Sequence, residues 1–600
     1  MDGIIIFDHL NDVVFKKLNA ELLVKLRETA LSQELISADD KTDEEVIDNN
    51  VIIQLFSPIT NSQRIMFCQF DNTYTSFQCE NDLNFVFDEF LGYLFLKIGS
   101  KSLDLLRRDI AVSITIAKHI CGPDLYVLKQ KESKSCLMTD LLETWQRLYE
   151  TNQGVLLEAI EQLMVNPDVK SVAQKTLEAA TERLKQDPHS QRSHALLFVE
   201  NKFLGIYSSR QAQKVSSADI LFLSILCQTF QSKMNSNGIS IQSNLLFLRG
   251  QTTTTHSSCI PHIVHTSMLD KGAVLMLLIE YGSLQVASGL HDTFHALQKV
   301  LNVQAQADLD NFKSSFENLE THVKQSLEAL RKAKYNNQDI ENCTKRFILK
   351  WENLKRKYAE FFKSSDKDSI VKIESNMPGF ADELQELFRL TCLECAVLDH
   401  GFERVSEIST LAEEKLLEFS EFLSVKARRN VTIGSYLEEF PGLVHFIHID
   451  RSIGRIIAPD LPTDTPLISR EKVWSMVEFT RSYLTRGHMS LMWKDTTFNY
   501  SYFLWFEDQN GAPIKPKDLP NYNAPNSAVR PQFEPGILGG DYYQRLLETC
   551  FPKASLNKIK CFEVYCIHLG LVTATCALEH CRRLVATIND VTEFPSLSEY

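Results

Sequence analysis

The sequence predicts an α+β protein built from three small sheet-containing units and one all-helical stretch. A pair of short apolar strands joined by a polar turn occurs in three places, at 3–16, 194–208 and 444–458. Helical patterns, with apolar residues every three or four positions, follow each pair. The turns within the pairs are only a few residues long, which favours antiparallel neighbours over parallel strands joined by crossovers. This combination is typical of the α+β class.

Length, charge and composition describe an ordinary globular protein with several cores. The chain has 600 residues, of which 44% are hydrophobic and 23% charged, and this length predicts about three or four domains. The net charge of -14 argues against a nucleic-acid binder, because phosphate contacts need a basic excess. Apolar runs such as Ala273–Tyr281 are far shorter than the roughly 20 residues of a membrane span. Asp2 stands where a signal peptide carries positive charge, so we expect a cytoplasmic protein with reduced cysteines.

The first unit opens with a strand pair and a helix. The helix begins near Asn19 and carries Leu22, Leu23 and Leu26 at near-helical spacing. After an acidic loop, the apolar run Val51–Phe56, in which Gln54 is the only polar residue, predicts a strand. Further strands are predicted at 73–78, 84–90 and 93–98, and helices at 103–120 and 138–165.

The second unit repeats this order without repeating the sequence. Its strand pair turns at Glu200 and Asn201, and Ser216 or Ser217 is expected to cap the next helix. Strands are predicted at 244–249, 260–268 and 273–281, and helices at 284–301 and 307–335. We expect the last helix to lie on the sheet, since its apolar stripe would serve there as well as in a coiled coil. Residues 340–425 contain helical patterns only.

The third unit starts at the Pro441-Gly442 turn. Strands are predicted at 444–450, 455–458, 490–494 and 499–506, and helices at 471–485, 542–550 and 574–588. Asp541 is the expected N-cap of the helix at 542–550. A Pro-rich stretch at 513–535 predicts a surface loop or a partner-docking arm. The predicted domain boundaries are therefore 1–188, 189–338, a helical connector at 339–427, and 428–600.

No motif in the chain predicts covalent catalysis, a bound cofactor or a metal. P-loop and Gly-x-Ser-x-Gly patterns do not occur. The Cys392-x-x-Cys395 pair lies in a helical pattern, and the cysteines near His568 and His580 have poor ligand spacing. Buried free thiols are the favoured interpretation. This pattern is typical of an interaction protein.

Two basic groups could contact phosphates. Lys426, Arg428 and Arg429 precede the third unit, where cations also favourably meet a helix C-terminus. We interpret them as part of a domain seam. A second basic group at 345–357 could contact anionic lipids, although a solvated helix face is the simpler interpretation.

The same seam carries a family resemblance. The stretch SVKARRNVTIGSYLEEFPGLVHFIHIDRSIGRIIAPDL at 424–461 strongly resembles the Hermansky–Pudlak syndrome 1 protein family, a subunit of the complex BLOC-3. Tyr500–Asp508 and Gly536–Leu547 match the same family, and 104–110 and Ala195–Ser209 match more loosely. Only the short polar stretch Ser232–Gln242 stands where vertebrate members carry a long insertion.

The resemblance implies three longin domains and a role in trafficking. It implies a heterodimer with a Hermansky–Pudlak syndrome 4 protein-like three-longin subunit. Together the two subunits would act as a guanine-nucleotide exchange factor for a Rab GTPase of the 32/38 type. The chain would be recruited peripherally to lysosome-related organelle or endosomal membranes, with no cofactor and no nucleic acid. The alternative is a trafficking adaptor or tether without exchange activity.

By analogy with related three-longin exchange factors, the resemblance implies a partner or Rab surface on the first domain. We expect the segment Val51–Phe56 to be a sheet edge that awaits a partner strand. Replacing Ile52 or Leu55 by Asp is then expected to abolish partner co-purification and leave the third domain folded. The candidate interface residues are Leu23, Leu26, Arg27, Val51, Ile52, Ile53, Gln54, Leu55 and Phe56.

Overall fold

The computed structural model describes most of the chain in two compact units. The described residues are 1–36, 47–70, 73–79, 83–185, 191–237, 240–249, 259–306, 308–335, 337–364, 377–394, 402–461, 468–516 and 534–592. The first unit comprises Met1–Thr139, Asn244–Ile263 and Glu280–Asp399. The second comprises Asp140–Ser243, Val264–Ile279 and His400–Tyr600. Most of the predicted acidic loop and most of the Pro-rich stretch lie outside the described residues.

An antiparallel five-stranded sheet forms the centre of the first unit. Its strand order is β2-β1-β5-β4-β3. The strands are β1 Asp2–Phe7, β2 Val13–Leu18, β3 Ser76–Gln78, β4 Asn84–Phe90 and β5 Tyr93–Gly99. The helices at its faces are α1 Ala20–Ser32, α2 Asn49–Phe70 and α3 Leu103–Cys121. A Cβ on Gly3 would lie 2.5 Å from the Leu22 side chain, so a glycine at this point of β1 lets α1 pack closely on the sheet.

The predicted strand Val51–Phe56 is wrong, because these residues belong to α2. Ile52, Phe56, Thr60 and Gln63 are buried at helical spacing on one face of this 22-residue helix. A six-residue apolar run does not by itself distinguish a strand from a buried helix turn. The period becomes visible only when the polar residues Thr60 and Gln63 are counted with the buried face.

A helical layer completes the first unit. The short helix α4 Val127–Gln130 follows α3. Helix α5 Glu132–Thr151 comes next, and its first eight residues, up to Thr139, belong to this unit while the rest belongs to the second. The later helices that belong to this unit are α9 Leu284–Ala305, α10 Leu309–Ala333, α11 Gln338–Ser364 and α12 Met377–Phe388. Helix α10 packs on α9 and stacks Phe316 on Tyr358 of α11, with ring centroids 3.9 Å apart. The expectation that this helix lies on a sheet is wrong, because its apolar stripe meets other helices.

The second sheet has five strands in the order β8-β7-β11-β10-β9. The β7–β8 hairpin turns at Glu200 and Asn201, as predicted, and Glu200 has a φ of 56° there. The strands are β7 Ser193–Val199, β8 Lys202–Ser208, β9 Ile241–Leu248, β10 Ile260–Met268 and β11 Ala273–Glu280. Helix α8 runs over Ser217–Asn237, and Ser216 accepts the Asp219 N–H at 3.1 Å, which confirms a serine cap.

Three helices from distant parts of the chain, all in the second unit, pack on the part of the second sheet that belongs to the same unit. They are α7 Pro167–Leu184, α13 Phe402–Leu416 and α14 Ser420–Arg428. Leu177 of α7, Leu197 of the sheet and Ile408 of α13 share one fully buried core. The stretch predicted as a separate connector therefore contributes α11 and α12 to the first unit and α13 and α14 to the second.

The third sheet has seven strands, with the order β14-β15-β17-β12-β13-β6 and β16 paired to β15. The strands are β6 Ile160–Glu161, β12 Leu443–Asp450, β13 Arg455–Ile457, β14 Ser490–Lys494, β15 Phe498–Glu507, β16 Pro513–Ile514 and β17 Lys560–Leu569. The helices of this part are α15 Gly434–Leu437, α16 Arg470–Leu484, α17 Tyr542–Cys550 and α18 Ala574–Thr592. Asp541 caps α17 by accepting the Gln544 N–H at 2.9 Å, as predicted. The sequence analysis missed β17, because a central strand that is buried on both faces shows no alternation.

The segment from Tyr149 to Glu161 is part of the third sheet's packing, although 281 residues separate Glu161 from the start of β12 at Leu443. Helix α6, Gln153–Leu157, leads into β6, which pairs in parallel with β13. Trp474 donates its indole N–H to the Tyr149 carbonyl at 2.9 Å, and Arg451 donates to the Leu157 carbonyl at 2.8 Å. Residues that the sequence assigned to the end of the first domain thus complete the third sheet.

Candidate partner and GTPase surface

Helix α1 presents an apolar stripe to solvent. Its N-terminus is capped by the Asn19 side chain, and Leu22 and Ala30 turn into the core. On the opposite side, Val24 and Leu31 are 55% and 41% exposed. These two residues and Arg27 are spaced i, i+3 and i+7, which places them on one face of a helix. The exposed stripe therefore consists of Val24 and Leu31, with the half-buried Arg27 between them.

The predicted interface residues divide between this stripe and the core. Ile52 and Phe56 are only 0% and 3% exposed, and they pack in the core beneath the sheet. Gln54 is exposed, and Arg27 is half-buried. The remaining predicted residues are half-buried, and most of them pack against the same core: Leu23, Leu26, Val51, Ile53 and Leu55. An Ile52→Asp change would unfold this domain, so it cannot report on an interface.

The second half of α2 is fixed to the β1–β2 turn by polar contacts. Arg64 donates from Nε to Asn11 Oδ1 at 2.7 Å and also donates to the Asp8 carbonyl. Asn11 donates to Asn61 Oδ1 at 2.8 Å. Burial lowers the pKa of Arg64, and the nearby carboxylates of Glu89 and Asp8 oppose that shift. This network holds the turn and the end of α2 as one rigid surface.

Sequence reasoning missed the most exposed apolar side chains of this domain. Besides Val24 and Leu31, they are Leu10, Ile65 and Phe70, which are 72%, 51% and 63% exposed. The available signal was an apolar residue at a position where an amphipathic helix normally carries a polar one. Exposed apolar residues mark an interaction site only where they form one contiguous patch, so each of these side chains is a candidate contact to be tested separately.

The edges of the first sheet are also different from those expected. Strands β2 and β3 end the sheet among the described residues. A partner strand would therefore add beside Val13–Leu18 or Ser76–Gln78, and not at Val51–Phe56.

The predicted basic group on α11 is partly used within the fold. Arg346 donates to both carboxylate oxygens of Glu383, at 3.1 and 3.0 Å, and Lys355 donates to Glu320 at 2.7 Å. These contacts tie α11 to its neighbours, which accounts for two of the predicted cations without a lipid.

The buried histidines and cysteines of the third sheet stay neutral. Burial lowers the pKa of His445 to about 3 and that of His448 to about 4. His445 Nε2 lies 2.7 Å from Gln153 Oε1, which links β12 to the incoming segment. A hydrogen bond with Cys581 and burial raise the pKa of the Cys566 thiol. Cys395 of the predicted Cys-x-x-Cys pair lies outside the described residues.

The three sheets coincide with three family matches. Residues 2–148 match the family described as First Longin domain of FUZ, MON1 and HPS1. Residues 190–297 match the Second Longin domain of these proteins, and residues 442–592 match the Third. The chain belongs to the family of three-longin proteins that includes FUZ, MON1 and HPS1.

The longin matches confirm the predicted fold class and narrow the functional class. Three longin domains with antiparallel sheets flanked by helices, and helices between the second and third domain, make an α+β protein as predicted. Longin domains of this type are typical of subunits of trafficking complexes that bind GTPases and resemble exchange factors. Within the described ranges, the helices are all too short or too polar to cross a membrane. The predicted boundaries at 188, 338 and 427 stay predictions.

Proposed function

We propose that this three-longin chain is one subunit of a heterodimeric guanine-nucleotide exchange factor of the BLOC-3 type. Its partner is a Hermansky–Pudlak syndrome 4 protein-like three-longin subunit, and its substrate is a Rab GTPase of the 32/38 type. The complex is recruited peripherally to the membranes of lysosome-related organelles. The observation that carries this proposal is the succession of three longin domains of the FUZ, MON1 and HPS1 type in one chain. The 424–461 stretch favours the HPS1 branch.

Nucleotide exchange needs binding energy and no covalent chemistry. A nucleotide held with picomolar affinity corresponds to about -16 kcal/mol. An exchange factor accelerates its release by binding the nucleotide-free GTPase more tightly than the loaded one. A rigid surface with exposed apolar anchors suits this task, because little ordering entropy is lost when it binds.

The solvent face of the first longin domain supplies such a surface. Val24 and Leu31 are exposed on either side of Arg27, and aromatic, aliphatic and arginine anchors dominate the energetics of interfaces. The contacts between Arg64 and Asn11 hold the β1–β2 turn, which carries Leu10 as a further exposed apolar residue of this domain. We assign the partner or Rab contact to this face.

The test of the exchange function is the release of labelled GDP from purified Rab GTPases. This chain alone, its partner alone and the complex are each added to a panel that includes the 32/38 type. Acceleration of one Rab by the complex supports the proposal. If no Rab of the panel responds but the complex still binds Rab or membranes, the chain is an adaptor or tether.

The test of the assigned surface is Val24→Asp. Aspartate and valine have similar helix propensities, so α1 stays folded while an apolar anchor becomes a charge. Loss of one anchor typically costs more than 1–2 kcal/mol, so we expect about tenfold or greater weakening of partner or Rab binding. The matched control is Leu349→Asp on α11, which changes a leucine that is 64% exposed on another helix of the same unit. Equal effects of both changes, or none, would remove the α1 face from the interface.

A further inference from the structure

A pocket of about 230 Å³ opens at the start of the third domain, beside Arg429. It lies wholly within the second unit. Its polar lining combines two cations with three hydroxyl groups, from Lys426, Arg429, Thr432, Ser435 and Tyr436. The remaining wall is largely aliphatic and includes Ile457 and Ile588. None of the lining residues is acidic.

The two adjacent arginines of the seam do different things. Arg428 is not among the lining residues and donates from Nε to Glu200 at 3.2 Å. Arg429 lines the pocket, and its guanidinium has no ion-pair or hydrogen-bond partner among the residues that the structure describes. Lys426 donates one N–H to the Asn430 carbonyl at 2.7 Å and retains two further donors.

Asn430 fixes the backbone that carries these groups. Its amide side chain accepts the Met164 N–H and donates to the Gln162 carbonyl, both at 2.8 Å. Its own N–H donates to Asp460 at 2.8 Å, and the other oxygen of that carboxylate accepts from Lys202 at 2.9 Å. The pocket wall is thus held in place before any ligand arrives, which lowers the entropic cost of binding.

The donors fit a doubly charged oxyanion. A guanidinium forms charge-assisted, often bidentate hydrogen bonds with phosphate oxygens, and a lysine adds a point charge. Thr432 Oγ1 and Ser435 Oγ lie 3.1 Å apart and share one hydrogen bond, so this pair and Tyr436 together leave two hydroxyl donors for the remaining oxygens. The volume falls below the roughly 300–1,000 Å³ of a pocket for a drug-sized ligand. It therefore suits a phosphate group with a few attached carbon atoms, which the aliphatic wall would cover.

We propose that this pocket binds a phosphate monoester whose carbon body contacts Ile457 and Ile588. Two sources share this chemistry, namely a soluble phosphate ester and the headgroup of a phosphatidic-acid-type lipid. The proposal is independent of nucleotide exchange, because its readout is binding at the seam of the third domain.

The experiment measures binding to the full chain, alone or with its partner subunit. Glycerol 3-phosphate is titrated calorimetrically, and phosphatidylcholine vesicles with and without phosphatidic acid are used in a flotation assay. Arg429→Gln is expected to weaken binding by about tenfold or more, because a charge-assisted contact is lost. Arg428→Gln is the matched control and should change the affinity less than about twofold, because this side chain does not line the pocket and its charge is paired with Glu200 at the solvated surface.

Each outcome decides the proposal. Binding of the ester, the vesicles or both, with selective loss in Arg429→Gln, supports it and identifies the source. Absence of binding by the wild-type chain at millimolar ester and with the vesicles overturns it. Equal weakening by the two arginine changes also overturns it, because the attraction is then diffuse. Should Arg429→Gln fail to fold, Tyr436→Phe removes only a hydroxyl and keeps the ring contact with Phe446; undiminished binding in that variant overturns the proposal.

Discussion

A buried ion pair at the centre of the third domain predicts an asymmetric response to mutation. Arg451 and Glu563 side chains are only 1% and 0% exposed and form a direct ion pair. Glu563 also accepts from the hydroxyls of Tyr502 and Tyr543, at 2.6 and 3.2 Å. Burial acts to lower the pKa of the Arg451 guanidinium, but the Glu563 carboxylate and its hydrogen bond raise it by more. The Arg451 guanidinium is therefore charged in the folded state, and Glu563 is its ion-pair partner.

Removing one partner leaves the other charge buried without compensation. Arg451→Met is expected to destabilise the third domain by about 3–5 kcal/mol. The change also removes the donor to the Leu157 carbonyl and so loosens the segment that carries β6. The double variant Arg451→Met, Glu563→Gln removes both charges and should recover part of the loss, since an uncharged buried pair avoids the desolvation cost.

Native-state hydrogen exchange of β12 and β17 peptides measures this local stability without assuming a two-state chain. The single variant should speed exchange by roughly 10²- to 10³-fold or more, since each 1.4 kcal/mol is about tenfold. The double variant should lie between the single variant and the wild type. Exchange rates in the double variant that equal or exceed those of Arg451→Met would refute the reasoning.

Three further predictions concern the same half of the molecule. Asn430→Ala removes both side-chain contacts to 162–164 and should destabilise the seam by about 2–3 kcal/mol, as measured by thermal melting. The control is Asn510→Ala at an exposed turn. An equal shift of the melting temperature in both variants would contradict this prediction. The pKa of His448 is lowered to about 4, so the third domain should lose stability as pH falls from about 6.5 towards 4, because the unfolded state binds the extra proton. His448→Phe should flatten that slope by up to about 1.4 kcal/mol per pH unit, as measured by urea unfolding across pH, and an unchanged slope would count against it. Finally, a fragment of residues 428–600 should aggregate when it is expressed alone. Co-expression with residues 140–165 should restore a soluble, folded fragment, as size-exclusion chromatography would show. A well-folded fragment 428–600 without residues 140–165 would contradict this prediction.

Local patterns were sufficient for the features that depend on neighbouring residues. The Glu200 turn, the Ser216 cap and the Asp541 cap all follow from short-range hydrogen bonding and were predicted correctly. The repeated strand pairs and the α+β class also follow from turn length and period. The strand assigned to Val51–Phe56 was wrong, because these residues are helical; the partner or Rab interface placed there stays a prediction.

The missed elements share a physical cause. A strand such as β17, buried on both faces, and a helix such as α2, whose buried face includes Thr60 and Gln63, lack the clean hydrophobic period of a half-exposed element. The exposed residues Val24 and Ile65 are apolar residues at positions where a helix normally carries polar ones, but the sequence alone does not show which helix face meets the sheet.

The sequence by itself determined the α+β fold class, the number of sheet units and most of the turns and caps. Only the tertiary structure decided that α2 packs Ile52 and Phe56 inward, and that residues 149–161 complete the third sheet. It also decided that Arg429 lines a pocket while Arg428 pairs with Glu200. The reason is that turns and caps are satisfied within a few residues, whereas these contacts join residues tens to hundreds of positions apart. The local sequence does not identify such a distant partner.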